Sequence, residues 1–282
     1  MMTKKFILNA DDFGISKDFN NAVLRGYKDG ILTSASLCSN TEGFEQAINE
    51  IIPQCPDLSI GVHLNIMEGK SLTDVPALTD ENGFFQNSYL KLILKSFDRN
   101  FYNQIEQEFR AQIEAIISKT KVDHIDSHVH THAIPNIFKI VVKLAKEYNI
   151  PYIRTQFEYP YIIPNIKKHL TFKYPINLIK VILLNTFTLI NRPVAEQNNI
   201  YTNDYLIGVS YTAMMDDESI AYGLKSLKNK NCIAEALIHP CFYENGYVDQ
   251  HYNEFEITQN EKLKKYISQL GFELSNHTKA FL

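Results

Sequence analysis

Carboxylate, histidine and arginine side chains end or follow short predicted β-strands at five places in this 282-residue chain. In parallel α/β folds the C-terminal ends of the strands meet at one rim, and that rim carries the active site. We therefore expect one site, assembled from Asp11, Asp12, His63, His128, His130, His132, Arg154 and His239.

Taken singly, most of these residues have ordinary structural explanations. An aspartate pair such as Asp11 and Asp12 is commonly a turn or a helix cap. A single histidine at the end of a strand, such as His63, is commonly a half-buried, hydrogen-bonded residue. The function of these three positions therefore depends on what lies near them.

The HVHTH run over residues 128–132 points more directly to chemistry. If it is extended, its alternation places three histidines on one face: His128, His130 and His132. Three imidazoles on one face repel each other when charged, so a metal ion or an anion is the expected partner. Asp12, His63 and His128 could supply one carboxylate and two imidazoles to a metal with positions left open for water.

Other catalytic templates are missing from the sequence. It contains no GxSxG, GxxxxGK[ST], GxGxxG or HExxH motif. Cys241, beside His239, remains an alternative nucleophile without a recognisable cysteine-protease signature. The four cysteines are far apart and form no CxxC pair, which argues against a structural zinc site and a disulfide framework.

The elements that must position these residues alternate between strands and helices. Strands are predicted at 5–9, 31–38, 58–64, 124–127, 151–154 and 233–238. Helices are predicted after Ser16 and at 42–51, 103–119, 135–148 and 260–270. This alternation indicates a parallel sheet, open or closed into an α/β barrel.

The sequence predicts one domain over residues 1–282, with a variable insertion at about 156–203. Within that insertion, Pro175–Ile190 is apolar but contains Asn177, Lys180 and Asn185. It is shorter than the ~20 apolar residues needed to span a bilayer. We expect an amphipathic helix that packs on the body of the protein or on a second subunit, and no membrane partner.

Charge and the N-terminal residues bear on partners and location. The formal net charge is -4 and no run of basic residues occurs, so nucleic acid is not an expected partner. The apolar run after the N-terminus reaches charged residues after five positions, which is too short for a secretory signal. We expect a cytoplasmic protein.

Several motifs together resemble one family. ILNADDFGIS, GILTSASL, GVHLNIMEGK, HIDSHVHTH, an Ile-Arg pair after a strand and a late LIHP occur in this order between residue 6 and about 243. Their combination is similar to that of the YdjC-like carbohydrate deacetylases, which include chitooligosaccharide deacetylases. The sequence departs from this pattern at Cys241, where Gly or Ala is expected, and over residues 156–203.

The resemblance implies a distorted (β/α) barrel related to the polysaccharide deacetylases, a homodimer, and one divalent ion described as magnesium. It implies that the metal ligands are Asp12, His63 and His128. Asp11 would be the general base and His239 the best candidate for the general acid, with His132 as the alternative. The substrate-binding residues would be His130, His132 and Arg154.

The implied reaction is metal-dependent removal of N-acetyl groups from amino sugars or oligosaccharides, releasing acetate. Coordination chemistry leaves the metal open, because mixed nitrogen and oxygen ligands suit zinc or another transition metal as well as magnesium. Two other functions remain: a different metal-dependent hydrolase on a barrel, with a phosphoester or cyclic amide substrate, and a non-catalytic homologue that binds sugar or metal.

Overall fold

The structure, a computed structural model, describes residues 4–281. Residues 1–3 and 282 of the predicted domain lie outside this range. Within it, eight strands form one parallel sheet: β1 Lys4–Phe13, β2 Ser34–Leu37, β3 Ser59–Leu64, β4 His124–Ser127, β5 Tyr152–Ile153, β6 Tyr205–Ile207, β7 Ile233–Ile238 and β8 Phe272–Leu274.

The strand order is β5-β4-β3-β2-β1-β7-β6, so the chain begins in the middle of the sheet and builds outward on both sides. β8 pairs with the first residues of β1, whereas β2 pairs with β1 from Asn9 onward. The sheet curls into a half-barrel with helices on its outer face. This architecture confirms the predicted distorted α/β barrel.

Ten α-helices connect or flank the described strands: α1 Lys17–Lys28, α2 Phe44–Gln46, α3 Tyr89–Lys95, α4 Arg99–Ile117, α5 Pro135–Glu147, α6 Lys173–Gln197, α7 Asp217–Ser226, α8 Gln250–Thr258, α9 Glu261–Gln269 and α10 His277–Ala280. The predicted helix at 42–51 forms as α2 followed by a π-helical turn, Ala47–Ile51. The outer face of the sheet packs its apolar side chains against these helices, and this contact forms the main hydrophobic core.

The inner face of the sheet is polar. Asn9, Ser36, His63, Asp126 and Glu235 alternate along their strands with apolar residues that face the helices. These inner side chains are almost completely buried, and buried polar groups are costly unless they are hydrogen-bonded. The inside of the half-barrel is therefore a hydrogen-bonded network, described below.

The strand β1 is longer than predicted, because it continues through Asp11 and Asp12 to Phe13. It is flanked by β2 and β7, and its register with β2 shifts between Ala10 and Phe13. At this bulge Asp12 has φ 64°. A bulge re-aims neighbouring side chains, so the two adjacent carboxylates meet different partners.

The HVHTH run is not extended, and the predicted one-face arrangement of its three histidines is wrong. β4 ends at Ser127, and His128–Ala133 forms 3-10 turns in which Val129 and His130 have φ 54° and 57°. The Ser127 hydroxyl accepts a hydrogen bond from the backbone N–H of His132 at 2.9 Å. This bond turns the chain back and stops the strand.

The region predicted as an insertion contains the 25-residue helix α6. Among the described residues, α6 alone has the length and apolar composition that could cross a membrane. Three buried polar side chains nevertheless tie it to the barrel. Asn177 donates to Thr212 O at 3.1 Å, Asn191 donates to Ala133 O at 2.7 Å, and the Thr188 hydroxyl accepts from Gln156 N at 3.1 Å.

Candidate active site

A cavity of about 410 Å³ lies at the C-terminal ends of the strands. Its polar lining includes five of the eight residues predicted from the sequence: Asp11, His63, His128, His130 and His239. The remaining wall is largely apolar and comes from α3, α6, the end of β7 and the segments that follow β4 and β6: Tyr89, Val129, Lys180, Leu183, Leu184, Val209, Thr212 and Leu237.

Asp12, His63 and His128 have the donor atoms and spacing of a metal centre. Asp12 Oδ1 lies 3.3 Å from His63 Nε2 and 2.9 Å from His128 Nδ1. One ligand atom from each residue falls within 4.8 Å of the other two. Burial alone would raise the pKa of Asp12, but hydrogen bonds from His128 and His63 hold it well below its usual value. An ionised carboxylate and two imidazoles beside an open cavity fit a divalent cation.

His63 is oriented from behind by Asp126, which sequence reasoning did not single out. His63 Nδ1 lies 2.7 Å from Asp126 Oδ1, which turns Nε2 toward Asp12. Burial favours neutral His63, yet the charge of Asp126 and the hydrogen bonds that His63 donates to Asp12 and Asp126 raise the pKa of His63 to about 10. A carboxylate behind a histidine ligand fixes the orientation of the ring.

Arg154, predicted to bind substrate, is completely buried and absent from the cavity lining. Its guanidinium donates to both oxygens of Asp11 at 2.8 Å. It also lies 2.7 Å from Asp126 Oδ2 and from Glu235 Oε1. Three carboxylates thus surround one cation, and they keep the pKa of Arg154 well above its usual value although burial opposes the charge. Arg154 therefore holds Asp11 in place.

The two remaining histidines of the HVHTH run differ in position. His130 lines the cavity, and its Nδ1 is buried without a hydrogen-bond partner among the described residues. His132 is completely buried outside the cavity lining, with its Nε2 3.0 Å from Arg154 O and its Nδ1 2.5 Å from Ser127 Oγ. Burial lowers the pKa of His132 to about 4, so this ring is neutral at pH 7.

His239 faces the cavity from the end of β7, with Glu254 of α8 behind it. The Nδ1 atom of His239 lies 3.3 Å from Glu254 Oε2, and its backbone N–H donates to the same oxygen. Burial would lower the pKa of His239, but the hydrogen bond and charge of Glu254, together with Asp12 and Asp11, raise it to about 9. Glu254 and the two aspartates therefore favour the protonated form of His239.

Cys241 does not line the cavity, which removes the alternative nucleophile. Its thiol is buried, and burial raises its pKa to about 11. The thiolate needed for attack is therefore scarce at neutral pH. All four cysteines are buried free thiols.

Comparisons with known proteins show which family this chain is similar to. The family model described as YdjC-like protein matches residues 5–269. A carbohydrate deacetylase from Brevibacillus brevis is 30% identical over 280 residues, covering 96% of this chain and 97% of its own. A chitooligosaccharide deacetylase from Proteus mirabilis is 27% identical, with 98% of each chain covered.

A solved structure supports the fold. The crystal structure of a cellobiose-phosphate cleavage protein from Enterococcus faecalis superposes with a TM-score of 0.76 at 23% identity, and 98% of each chain is covered. At this identity the likeness concerns the architecture and not the substrate.

Proposed function

The chain belongs to the YdjC-like family, and we propose that it is a metal-dependent hydrolase that removes N-acetyl groups from acetylated amino sugars or oligosaccharides. Deacetylation of sugars agrees with the names of its relatives. The observation that carries the metal-dependent mechanism is the grouping of Asp12, His63 and His128 beside Asp11 and His239.

Asp12, His63 and His128 would hold one divalent ion. A cation there supplies Lewis-acid activation of the acetamide carbonyl and of the attacking water. The family description favours magnesium, whereas two imidazole ligands suit zinc or another transition metal. Reconstitution with several metals decides between them.

Asp11 acts as the general base in this proposal. Arg154 holds its carboxylate bidentately, and Asn9 donates to Oδ1 at 2.7 Å. Among the described residues, Oδ2 accepts only the bond from Arg154, and a carboxylate oxygen has two lone pairs. Oδ2 can therefore take the proton of the attacking water as its oxygen bonds to the carbonyl carbon.

His239 acts as the general acid. When the carbon–nitrogen bond breaks, the sugar nitrogen leaves easily only if it gains a proton. His239 lines the cavity, its neighbouring carboxylates favour the protonated form, and Glu254 holds it through Nδ1, so Nε2 is the donating atom. His132 is neutral and lies outside the cavity lining, which favours His239 for this role. The products are acetate and a free amino sugar.

The cavity wall fits an acetylated sugar better than a phosphoester. Leu183, Leu184 and Val209 form an apolar surface suited to the acetyl methyl and the face of a sugar ring. A phosphate calls for Arg and Lys groups. Lys180 is the single Lys or Arg among the lining residues, and the Arg154 guanidinium is engaged by carboxylates.

We also expect the protein to be cytoplasmic, to act without nucleic acid or membrane partners, and to form a homodimer. Seven apolar side chains at or near α6 are exposed and could form the subunit contact: Phe172, Ile176, Leu178, Ile179, Ile182, Leu189 and Ile190.

The test is acetate release from N-acetylated sugars, from N-acetylglucosamine to short chitin oligomers. The purified protein is stripped with a chelator and reloaded with Mg²⁺, Mn²⁺, Co²⁺ or Zn²⁺. We expect release only with a metal present. Release without metal would reject the metal centre, whereas phosphoester hydrolysis without acetate release would favour the alternative hydrolase. Metal or sugar binding without turnover would identify a non-catalytic homologue.

A further inference from the structure

A second His–Asp pair lies behind the first one in the half-barrel. In the first pair, His63 Nδ1 is 2.7 Å from Asp126 Oδ1, and in the second, His124 Nδ1 is 2.7 Å from Asp123 Oδ1. The proposed mechanism uses the first pair to support a metal ligand. It leaves the second pair, at the start of β4, without a role.

Ser36 of β2 connects the two pairs. Its hydroxyl donates to Asp126 Oδ2 at 2.7 Å and lies 3.2 Å from His124 Nε2. Asp126 is a buried, ionised carboxylate that can only accept. The single Ser36 proton therefore goes to Asp126, and Ser36 Oγ accepts a hydrogen bond from Asn9 Nδ2 at 2.9 Å. Side-chain contacts thus run from His124 through Ser36 to Asp126, which in turn holds His63.

The His124 ring is held tightly in this position. A Cβ atom on Gly61 would lie 2.1 Å from His124 Nε2, so only glycine leaves room for the ring. On another side, the His277 ring stacks on His124 at 3.7 Å between centroids with a 16° interplanar angle. The His124 ring therefore has little freedom to move, and its contact with Ser36 restricts the position of the Ser36 hydroxyl.

At its other end, this network of contacts reaches Asp123 and a different surface of the molecule. Asp123 accepts hydrogen bonds from Ser59 Oγ at 2.6 Å and from Thr278 Oγ1 at 2.9 Å. It also lines a second cavity of about 280 Å³ at the N-terminal ends of the strands. The network thus crosses the half-barrel from this cavity to the candidate metal centre.

We propose that Ser36, His124 and Asp123 are positioning residues that fix Asp126 and, through it, the metal ligand His63. The inference rests on the proposed metal centre at Asp12, His63 and His128. Partners behind a histidine ligand typically change metal affinity by about 10–100-fold when they are removed. This network extends that support to the opposite side of the half-barrel.

Asp123, His124 and His277 could also be read as ligands of a second cation, since their donor atoms lie within 4.8 Å of one another. Their existing contacts favour positioning instead. His277 Nδ1 is 3.0 Å from Ser34 Oγ and 3.3 Å from Ser59 Oγ, and Asp123 already holds His124.

Ser36→Ala compared with Ser34→Ala tests the proposal. Both serines are completely buried on β2 and two residues apart, but Ser34 contacts His277 and does not contact Asp126. The metal-free proteins are titrated with Zn²⁺ by calorimetry, and their thermal unfolding is recorded without metal. We expect Ser36→Ala to bind Zn²⁺ about 10-fold more weakly, and Ser34→Ala, which reaches the network only through His277, to lose clearly less affinity. Asp123→Asn, at the far end, should show a smaller loss.

The outcomes separate this inference from the proposed function. Equal affinity of wild type and Ser36→Ala would overturn the positioning role and leave the metal centre intact. A wild type that binds no ion would overturn the proposed metal centre itself. If the wild type binds two ions per chain and Asp123→Asn binds only one, Asp123 is a ligand of a second cation and not a positioning residue. If Ser36→Ala unfolds, Asp123→Asn alone decides, because its unchanged affinity would reject the proposal.

Discussion

At the scale of single residues, two neighbouring aspartates have different partners. Asp11 is held by Arg154, whereas Asp12 meets His63 and His128. The bulge in β1 and the positive φ of Asp12 separate the two side chains. In a regular strand adjacent side chains would point to opposite faces of the sheet, and one of the two carboxylates would then face the helices instead of the cavity.

The acid–base behaviour of His239 should depend on Glu254. Because His239 is proposed to donate a proton, the active form is protonated, and kcat/KM should fall as pH rises through about 9. Glu254→Gln removes the opposing charge that favours the imidazolium. We expect this descending limb to move down by about 1–2 pH units, measured as the pH profile of acetate release.

Glu256→Gln is the matched control, because Glu256 lies on the same helix but is exposed to solvent. Its profile should coincide with that of the wild type. An unchanged descending limb in Glu254→Gln would remove His239 from the role of general acid.

At the scale of secondary structure elements, β3 and β4 bring the site and its support together. Their parallel register pairs His63 with Asp126 and Gly61 with His124. His63 and Asp126, nearer the C-terminal ends of the strands, lie at the candidate metal centre. Gly61 and His124, nearer the N-terminal ends, lie behind them. Gly61 is required because any side chain there would occupy the space of the His124 ring.

Gly61→Ala should therefore destabilise the protein. The added methyl group must displace His124, and such overpacking costs about 1–3 kcal/mol. Urea denaturation measures this as a lower free energy of unfolding. Since the clash is with one ring, the double variant Gly61→Ala/His124→Ala should be less destabilised than the sum of the two single variants. Strict additivity would show that the methyl group meets something else.

Elements with a clear local sequence pattern could be predicted from the sequence, and elements without one could not. The strands at 124–127 and 233–238 have the predicted bounds, and the second of them is a largely apolar run that ends at His239. The helix α4 buries the predicted face of Ile105, Phe109, Ile113 and Ile116. The extended conformation predicted for the HVHTH run is wrong. Its alternating residue pattern gives no sign of the turn that the Ser127 hydroxyl stabilises.

At the scale of the whole molecule, the polar interior could not be predicted from sequence. Arg154 lies 143 residues from Asp11 along the chain, and Glu254 is positioned on a helix that carries no motif. An arginine at a strand end looks the same in the sequence whether it faces substrate or three carboxylates. Only the curl of the sheet decides this, because it brings carboxylates of β1, β4 and β7 around the buried guanidinium that follows β5.

The exposed apolar face of α6 should form the dimer contact. Wild-type protein is expected to be a dimer in light scattering, and Ile182→Lys should be monomeric because it places a charge in the apolar contact. Leu94→Lys on α3 is the control, since Leu94 and Ile182 have similar exposure, 64% and 68%. A monomeric wild type, or dissociation caused equally by both changes, would contradict this assignment.

Acetate release by wild type and Asp11→Asn, with metal content measured on the same samples, tests the central claim most directly. The substitution keeps the size of the side chain and leaves Asp12, His63 and His128 unchanged. The account predicts that both proteins bind metal, that wild type releases acetate from N-acetylated sugars, and that Asp11→Asn is slower by about 10²-fold or more, as for loss of a general base. Equal rates would remove Asp11 from catalysis, and no release from any acetylated sugar by metal-loaded wild type would contradict the deacetylase function itself.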